Sequence, residues 1–113
     1  MEFEWDENKR QINIEKHGID FADAVKIFDN KFTHTWQDTR ADYGEIRNVS
    51  VGLLDEREIA VVYTPREGKR RIISVRRARV EERKIFYEEA EKHGHDFRSG
   101  NTTEDKGEAE GRP

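Results

Sequence analysis

The sequence predicts a single α+β domain, on three observations. Apolar residues recur with helical spacing from Asp6 to Asp29, the spacing changes to two from Phe32 to Arg77, and a second helical pattern runs from about Arg79 to Glu91. At 113 residues the chain is long enough for one modest core. Of its Leu, Ile, Val and Phe residues, only Phe97 lies beyond Ala90. The core therefore belongs to residues 1–92. Residues 93–113 form a polar tail that cannot offset its own ordering entropy and is expected to be disordered.

Taken in order, "EFEW" places Phe3 and Trp5 on one side of a short strand and Glu2 and Glu4 on the other. Asp6 stands at an N-cap position, and Glu7 suits the positive end of the helix that follows. Gly18 supplies the left-handed residue that ends this helix, with Lys16 and His17 in its last turn. Asp20 caps a second helix, in which Phe21, Ala24, Val25 and Phe28 fall at i, i+3, i+4 and i+7 and predict a buried stripe.

"FTHTW" is a short strand candidate and "QDTRADYGE" a polar loop. "IRNVSVGLL" alternates, with Val49, Val51 and Leu53 on one face, and "DERE" makes a turn. "IAVVYT" has the apolar run of a central strand, and "PREGK" turns the chain again. In "RRIISVR", strict alternation puts Arg71, Ile73 and Val75 on one face and Ile72, Ser74 and Arg76 on the other. The last helix is expected to bury Val80, Phe86, Tyr87 and Ala90. These elements predict a strand, two helices, three or four antiparallel strands and a helix, with the helices on one face of a twisted antiparallel sheet.

Composition excludes several function classes. There is no cysteine, hence no disulfide and no thiolate zinc site. No apolar run approaches a membrane span and "MEFEWDENKR" has no signal-peptide core, so the expectation is a soluble cytoplasmic protein with no membrane contact. The four histidines show no metal-ligand spacing, no Gly-rich phosphate loop is present, and the serines lack a nucleophile-elbow motif. No metal or cofactor is expected.

Net charge is −4, but it is unevenly spread. From Arg66 to Lys84, nine Lys and Arg face three Glu. Such a surface suits a polyanion. Two clusters stand out. Lys9, Asn13, Lys16 and His17 share one stripe of the first helix, combining a proton-transfer group with phosphate-binding types. Arg71, Ser74, Arg76 and Arg77 sit at the strand–helix junction as candidates for a phosphate clamp. A solvated helix face and strand ion pairs would give the same composition. So would a non-catalytic RNA- or partner-binding module, or acidic surfaces that self-associate.

Taken together, Trp5-Asp6, Lys9, Asn13, Lys16-His17-Gly18, Phe21 and Ala24, then Asp38, Glu45, Arg47 and Gly52, and "RIISVRRARVEERKIFYE" resemble the BrnT family of toxins from bacterial type II toxin–antitoxin systems. The resemblance covers about residues 2–90; Val75 stands where the family commonly has alanine. It implies a RelE-like β-α-α-β-β-β-(α) fold and an endoribonuclease that inhibits translation. It also implies a ribbon-helix-helix (BrnA-like) antitoxin, through which alone operator DNA would be bound. Metal-independent RNA cleavage needs attack of a 2′-OH on its own phosphorus, a charge clamp and proton transfer. On this basis His17, Arg71 and Arg76 are expected to be catalytic, and Lys9, Asn13, Lys16 and Arg77 to bind RNA. Glu45 and Tyr63 are alternative bases. The expectation requires that His17 and the arginines of the last strand meet in one pocket.

Overall fold

The computed structural model describes residues 2–29 and 31–95. In chain order these form β1 (Phe3–Trp5), α1 (Glu7–His17), α2 (Phe21–Ala24), a 3-10 turn (Val25–Phe28), β2 (His34–Gln37), β3 (Asn48–Leu54), β4 (Arg57–Arg66), β5 (Lys69–Arg77) and α3 (Val80–Lys92). The predicted caps are in place. Asp6 accepts from the Lys9 N–H at 3.1 Å, Asp20 accepts from the Ala22 N–H at 2.9 Å, and Gly18 takes φ 71° while donating its N–H to the Ile14 carbonyl. No helix among the described residues is long and apolar enough to cross a membrane. The tail expected over 93–113 lies outside the described residues from 96 onward. His93 and His95, counted with it, rest against the ring of Phe32.

The α+β class stands, with corrections to its geometry. The strands form one five-stranded sheet in the order β1-β5-β4-β3-β2, one strand more than the β-α-α-β-β-β-(α) outline. It is not wholly antiparallel. β2 to β5 form an antiparallel meander, whereas β1 pairs with β5 in parallel. Parallel neighbours need a long connection, and residues 6–68 supply it.

Nor do the helices share a face. Along β4, Ile59, Val61 and Tyr63 join Phe21, Ala24, Ile27, Ile72 and Val75 in one core, while Ala60 joins Val49, Val51, Ala78 and Phe86 in another. A strand as apolar as "IAVVY" has two faces to bury, and one helical layer covers only one of them. The result is helix on sheet on helix, with α1 and α2 on one side and α3 on the other.

Two further differences are local. The buried stripe of the second helix is Phe21, Ala24 and Ile27, not Phe21, Ala24, Val25 and Phe28. Once the chain tightens to three residues per turn at Val25, residues three apart eclipse, and Ile27 replaces Phe28 as the fully buried side chain. In β5, Val62 lies opposite Ser74 but Tyr63 lies opposite Ile72, so Ile73 is a bulge. The extra residue inverts the alternation. Ile72 and Val75 therefore share the α1–α2 side with Arg70 and Arg77, and Arg71, Ser74 and Arg76 share the α3 side. Val80, expected inside, is 70% exposed at the first turn of α3.

Candidate active site

His17 is brought to the surface by the end of α1. Gly18 reverses the chain there, Ile19 enters the core, and Asp20 starts α2. The bidentate pair between Arg10 and Asp20, at 2.8 and 2.9 Å, ties the two helices together. These bonds from Arg10, with the Ala22 N–H, hold the Asp20 carboxyl down at about 2.

The cavity at this corner, about 490 Å³, is bounded by His17 and Asp23 from the helical layer, Asp55 from the β3–β4 turn, and Arg57, Ile59 and Arg77 from the sheet. Ile59 is the direct partner of Arg77, and Arg57 precedes it by two on the same face. The two guanidiniums are therefore diagonal neighbours. Neither carries an ion pair or a side-chain hydrogen bond among the described residues, and both are exposed. Asp55 and Glu56 form the two-residue turn with φ of 50° and 65°. Non-glycine residues adopt that conformation at a cost of about 1 kcal/mol or more. The turn projects Asp55, which has no ion pair among the described residues, into the cavity.

Chemically, the site combines an imidazole, two guanidiniums without an ion pair among the described residues and three carboxylates, of which Asp20 is held by Arg10 and Asp23 by Lys26. Such a set can hold a phosphodiester and move protons around it.

The structure divides the expected site residues. His17 and Arg77 meet at this cavity. Arg76 lies across the sheet, bonded to Glu82 at 2.7 and 2.9 Å with both side chains mostly covered. Arg71 is at the β1 edge of that same far side, paired with Glu4 at 3.2 Å. Thus His17 is not brought together with Arg71 and Arg76, and the physical reason is the Ile73 bulge, which leaves Arg77 on the α1–α2 face and Arg71 and Arg76 on the α3 face. Lys9 and Lys16 are exposed and carry no ion pair among the described residues, but neither lines the cavity.

Asn13 is a correction. It is 5% exposed; its amide donates to the Ile19 carbonyl at 3.0 Å and its oxygen accepts from the Val75 N–H at 3.1 Å. Its amide joins α1, the α1–α2 link and β5, and both of its ends are engaged within the fold. The alternative bases are also engaged. Tyr63 is buried with its hydroxyl 3.0 Å from that of Ser50, and Glu45 pairs with Arg47.

Arg57 and Asp55 were hidden in the turn-forming "DERE". A register that fixed Ile59 opposite Arg77 would have revealed Arg57, because strand neighbours two apart share a face.

Comparison with curated proteins gives no match. Residues 5–82, most of the described fold and every residue of the cavity, match the family model of BrnT, the ribonuclease toxin of type II toxin–antitoxin systems. The chain belongs to the BrnT family of ribonuclease toxins.

Proposed function

We propose that the chain is an endoribonuclease whose active site is the cavity between α1 and the β3–β4 turn. The observation that carries the proposal is the convergence of His17, Arg57 and Arg77 on one cavity, with the two guanidiniums unpaired among the described residues. In the reaction, the 2′-oxygen of one nucleotide bonds to the adjoining phosphorus and the bond to the 5′-oxygen breaks. The products are a 2′,3′-cyclic phosphate and a 5′-hydroxyl. Arg77 and Arg57 take the non-bridging oxygens, since guanidinium stays charged and can bind two oxygens at once. His17 and Asp55 handle the proton that leaves the 2′-oxygen and the one delivered to the 5′-oxygen. Arg71 and Arg76, tied to Glu4 and Glu82, act through the sheet instead of on the phosphate. Lys9 and Lys16 serve flanking phosphates. The proposed route needs no metal, since His17 and Asp55 supply proton transfer and the two guanidiniums supply charge.

The test is cleavage of RNA by purified protein in the presence of a chelator, scored for cyclic phosphate ends. His17→Ala and Arg77→Ala should each lower the rate at least about 100-fold. Wild-type cleavage by both folded variants would refute the assignment, and intact RNA with the unaltered protein would favour a binder that does not cut.

Membership in a type II system brings a cognate antitoxin and an RNA target. The remaining reading is a RelE-like cytoplasmic toxin that stops translation and is silenced by a ribbon-helix-helix antitoxin carrying the operator-binding function. Arg57 and Arg77, which have no ion pair among the described residues, favour an antitoxin segment that covers them with carboxylates. RNA and antitoxin should then compete.

A further inference from the structure

A second cavity lies on the α3 side of the sheet. It measures about 280 Å³ and is bordered by Trp36, Thr39, Arg40, Arg76, Arg79 and Glu82. Its size, at the lower limit of ligand pockets, suits one nucleotide and not a duplex.

Trp36 comes from the edge strand β2, half-buried, with its ring 5.6 Å from that of His34. Its register partner is Val49, so its indole stands on the α3 side of the sheet. The two-bond pair of Arg76 with Glu82 borders the cavity, and Glu82 also accepts from the Arg79 N–H at 2.8 Å. The charge of Glu82 is thus already met by donors and does not repel an anion. At the rim, the Arg79 side chain is exposed and carries no ion pair among the described residues. Arg40 grips Asp38 through its Nε and one terminal nitrogen, yet remains 68% exposed. An aromatic face beside accessible guanidiniums is the chemistry that receives an unstacked base together with its phosphate.

We propose that this cavity is a nucleobase subsite, so that the RNA substrate is single-stranded and one of its bases lies on Trp36 with its phosphate at Arg79 and Arg40. The proposal rests on the ribonuclease reading. Arg77 borders the catalytic cavity and Arg79, two residues on, borders this one. The two cavities lie on opposite faces of the sheet, so a strand that rounds the end of β5 would meet both. Paired bases expose no face to Trp36, and a duplex gains nothing from it.

The experiment uses the whole protein and a short RNA whose riboses are 2′-O-methylated, which removes the attacking hydroxyl, offered as a single strand and as a duplex. The single strand should quench tryptophan fluorescence. Trp36→Phe should abolish that quenching while keeping most of the affinity, and so separate Trp36 from Trp5. Trp36→Ala should weaken single-strand binding about tenfold or more and leave duplex binding unchanged. Arg79→Ala should reduce the salt dependence of single-strand binding.

Equal single-strand affinity for Trp36→Ala and the unaltered protein would overturn the subsite, even where cleavage of unmodified RNA is robust. So would a loss confined to antitoxin binding. Quenching and its loss in the variants, with no cleavage of unmodified RNA, would uphold the subsite and remove the nuclease reading instead.

Discussion

Asn13 decides more of this molecule than its type foretells. A polar residue on a stripe with Lys9, Lys16 and His17 looks like a ligand when only helical spacing is visible. What spacing cannot supply is the position of β5, whose Val75 N–H needs an acceptor where the bulge begins to reset the strand. Buried polar groups left without partners cost about 1–3 kcal/mol each. Asn13→Ala leaves two, the Val75 N–H and the Ile19 carbonyl. It should therefore destabilise the fold by about 2–4 kcal/mol, read as a lower urea midpoint at unchanged slope. Asn13→Asp keeps an acceptor for Val75 but sets a carboxylate against the Ile19 carbonyl, and should be no more stable than the alanine variant. The folded fraction of either should bind RNA as before. A variant of normal stability with weakened RNA binding would return Asn13 to the list of ligands. His17 and Arg77 are the opposite case, since both are exposed and neither has an ion pair among the described residues, although His17 also suits the negative end of α1.

Among the elements, the 3-10 turn is the one that most constrains its neighbours. Tightening at Val25 drives Ile27 down onto β3, where Gly52 lets the two backbones approach. A Cβ on Gly52 would lie 2.9 Å from Cβ of Ile27 and 3.1 Å from Cγ2 of Thr33. The Ile27 atom is close to the main chain and cannot swing aside. Gly52→Ala should accordingly destabilise by about 1–3 kcal/mol, and the double variant with Ile27→Ala should recover part of the loss. Strict additivity in that cycle would show that the contact is not what requires glycine. Caps, turns and strand alternation were legible because each depends on a few adjacent residues. Asp6, Gly18 and Asp20 behave as their types demand. The 3-10 turn, the Ile73 bulge and the second helical layer were not legible, because each is a compromise with a distant partner. Half of the candidate site was lost for the same reason. His17 could be picked out locally, but one inserted residue decided between Arg76 and Arg77, and Arg57 needed the hairpin register.

At the scale of the whole molecule, an abundance of charge has become paired charge spread over both faces of the sheet, and this sets how stability depends on pH. Arg10 and the Ala22 N–H hold Asp20 down at about 2, and bonds from the side chain and N–H of Arg40 hold Asp38 well below the usual carboxylate range. Burial alone would push Glu82 up, but the bonds from Arg76 and the Arg79 N–H outweigh it, so it too lies low. Lys92 lowers Glu89. A carboxyl depressed on folding contributes stability that is present above its unfolded value, near 4, and is lost as pH falls through its folded one. The urea midpoint should thus be flat from pH 7 to about 5, fall below about 4 and keep falling to about 2. Added salt should flatten the slope because several of these pairs are partly exposed. Asp20→Asn should lower the neutral plateau and make the acid limb shallower. The alkaline limb belongs to the other layer: burial, then the bond to Glu58, push Tyr87 up to about 12. A tyrosine raised on folding gives stability that is full below its unfolded value, near 10, and is lost as pH rises through the folded one, so Tyr87→Phe should leave the midpoint less sensitive between about pH 10 and 12. A midpoint unchanged between pH 5 and 3 would mean that the carboxylate pairs do not persist in solution, and the corner held by Arg10 and Asp20, on which His17 depends for its place, would lose its physical basis.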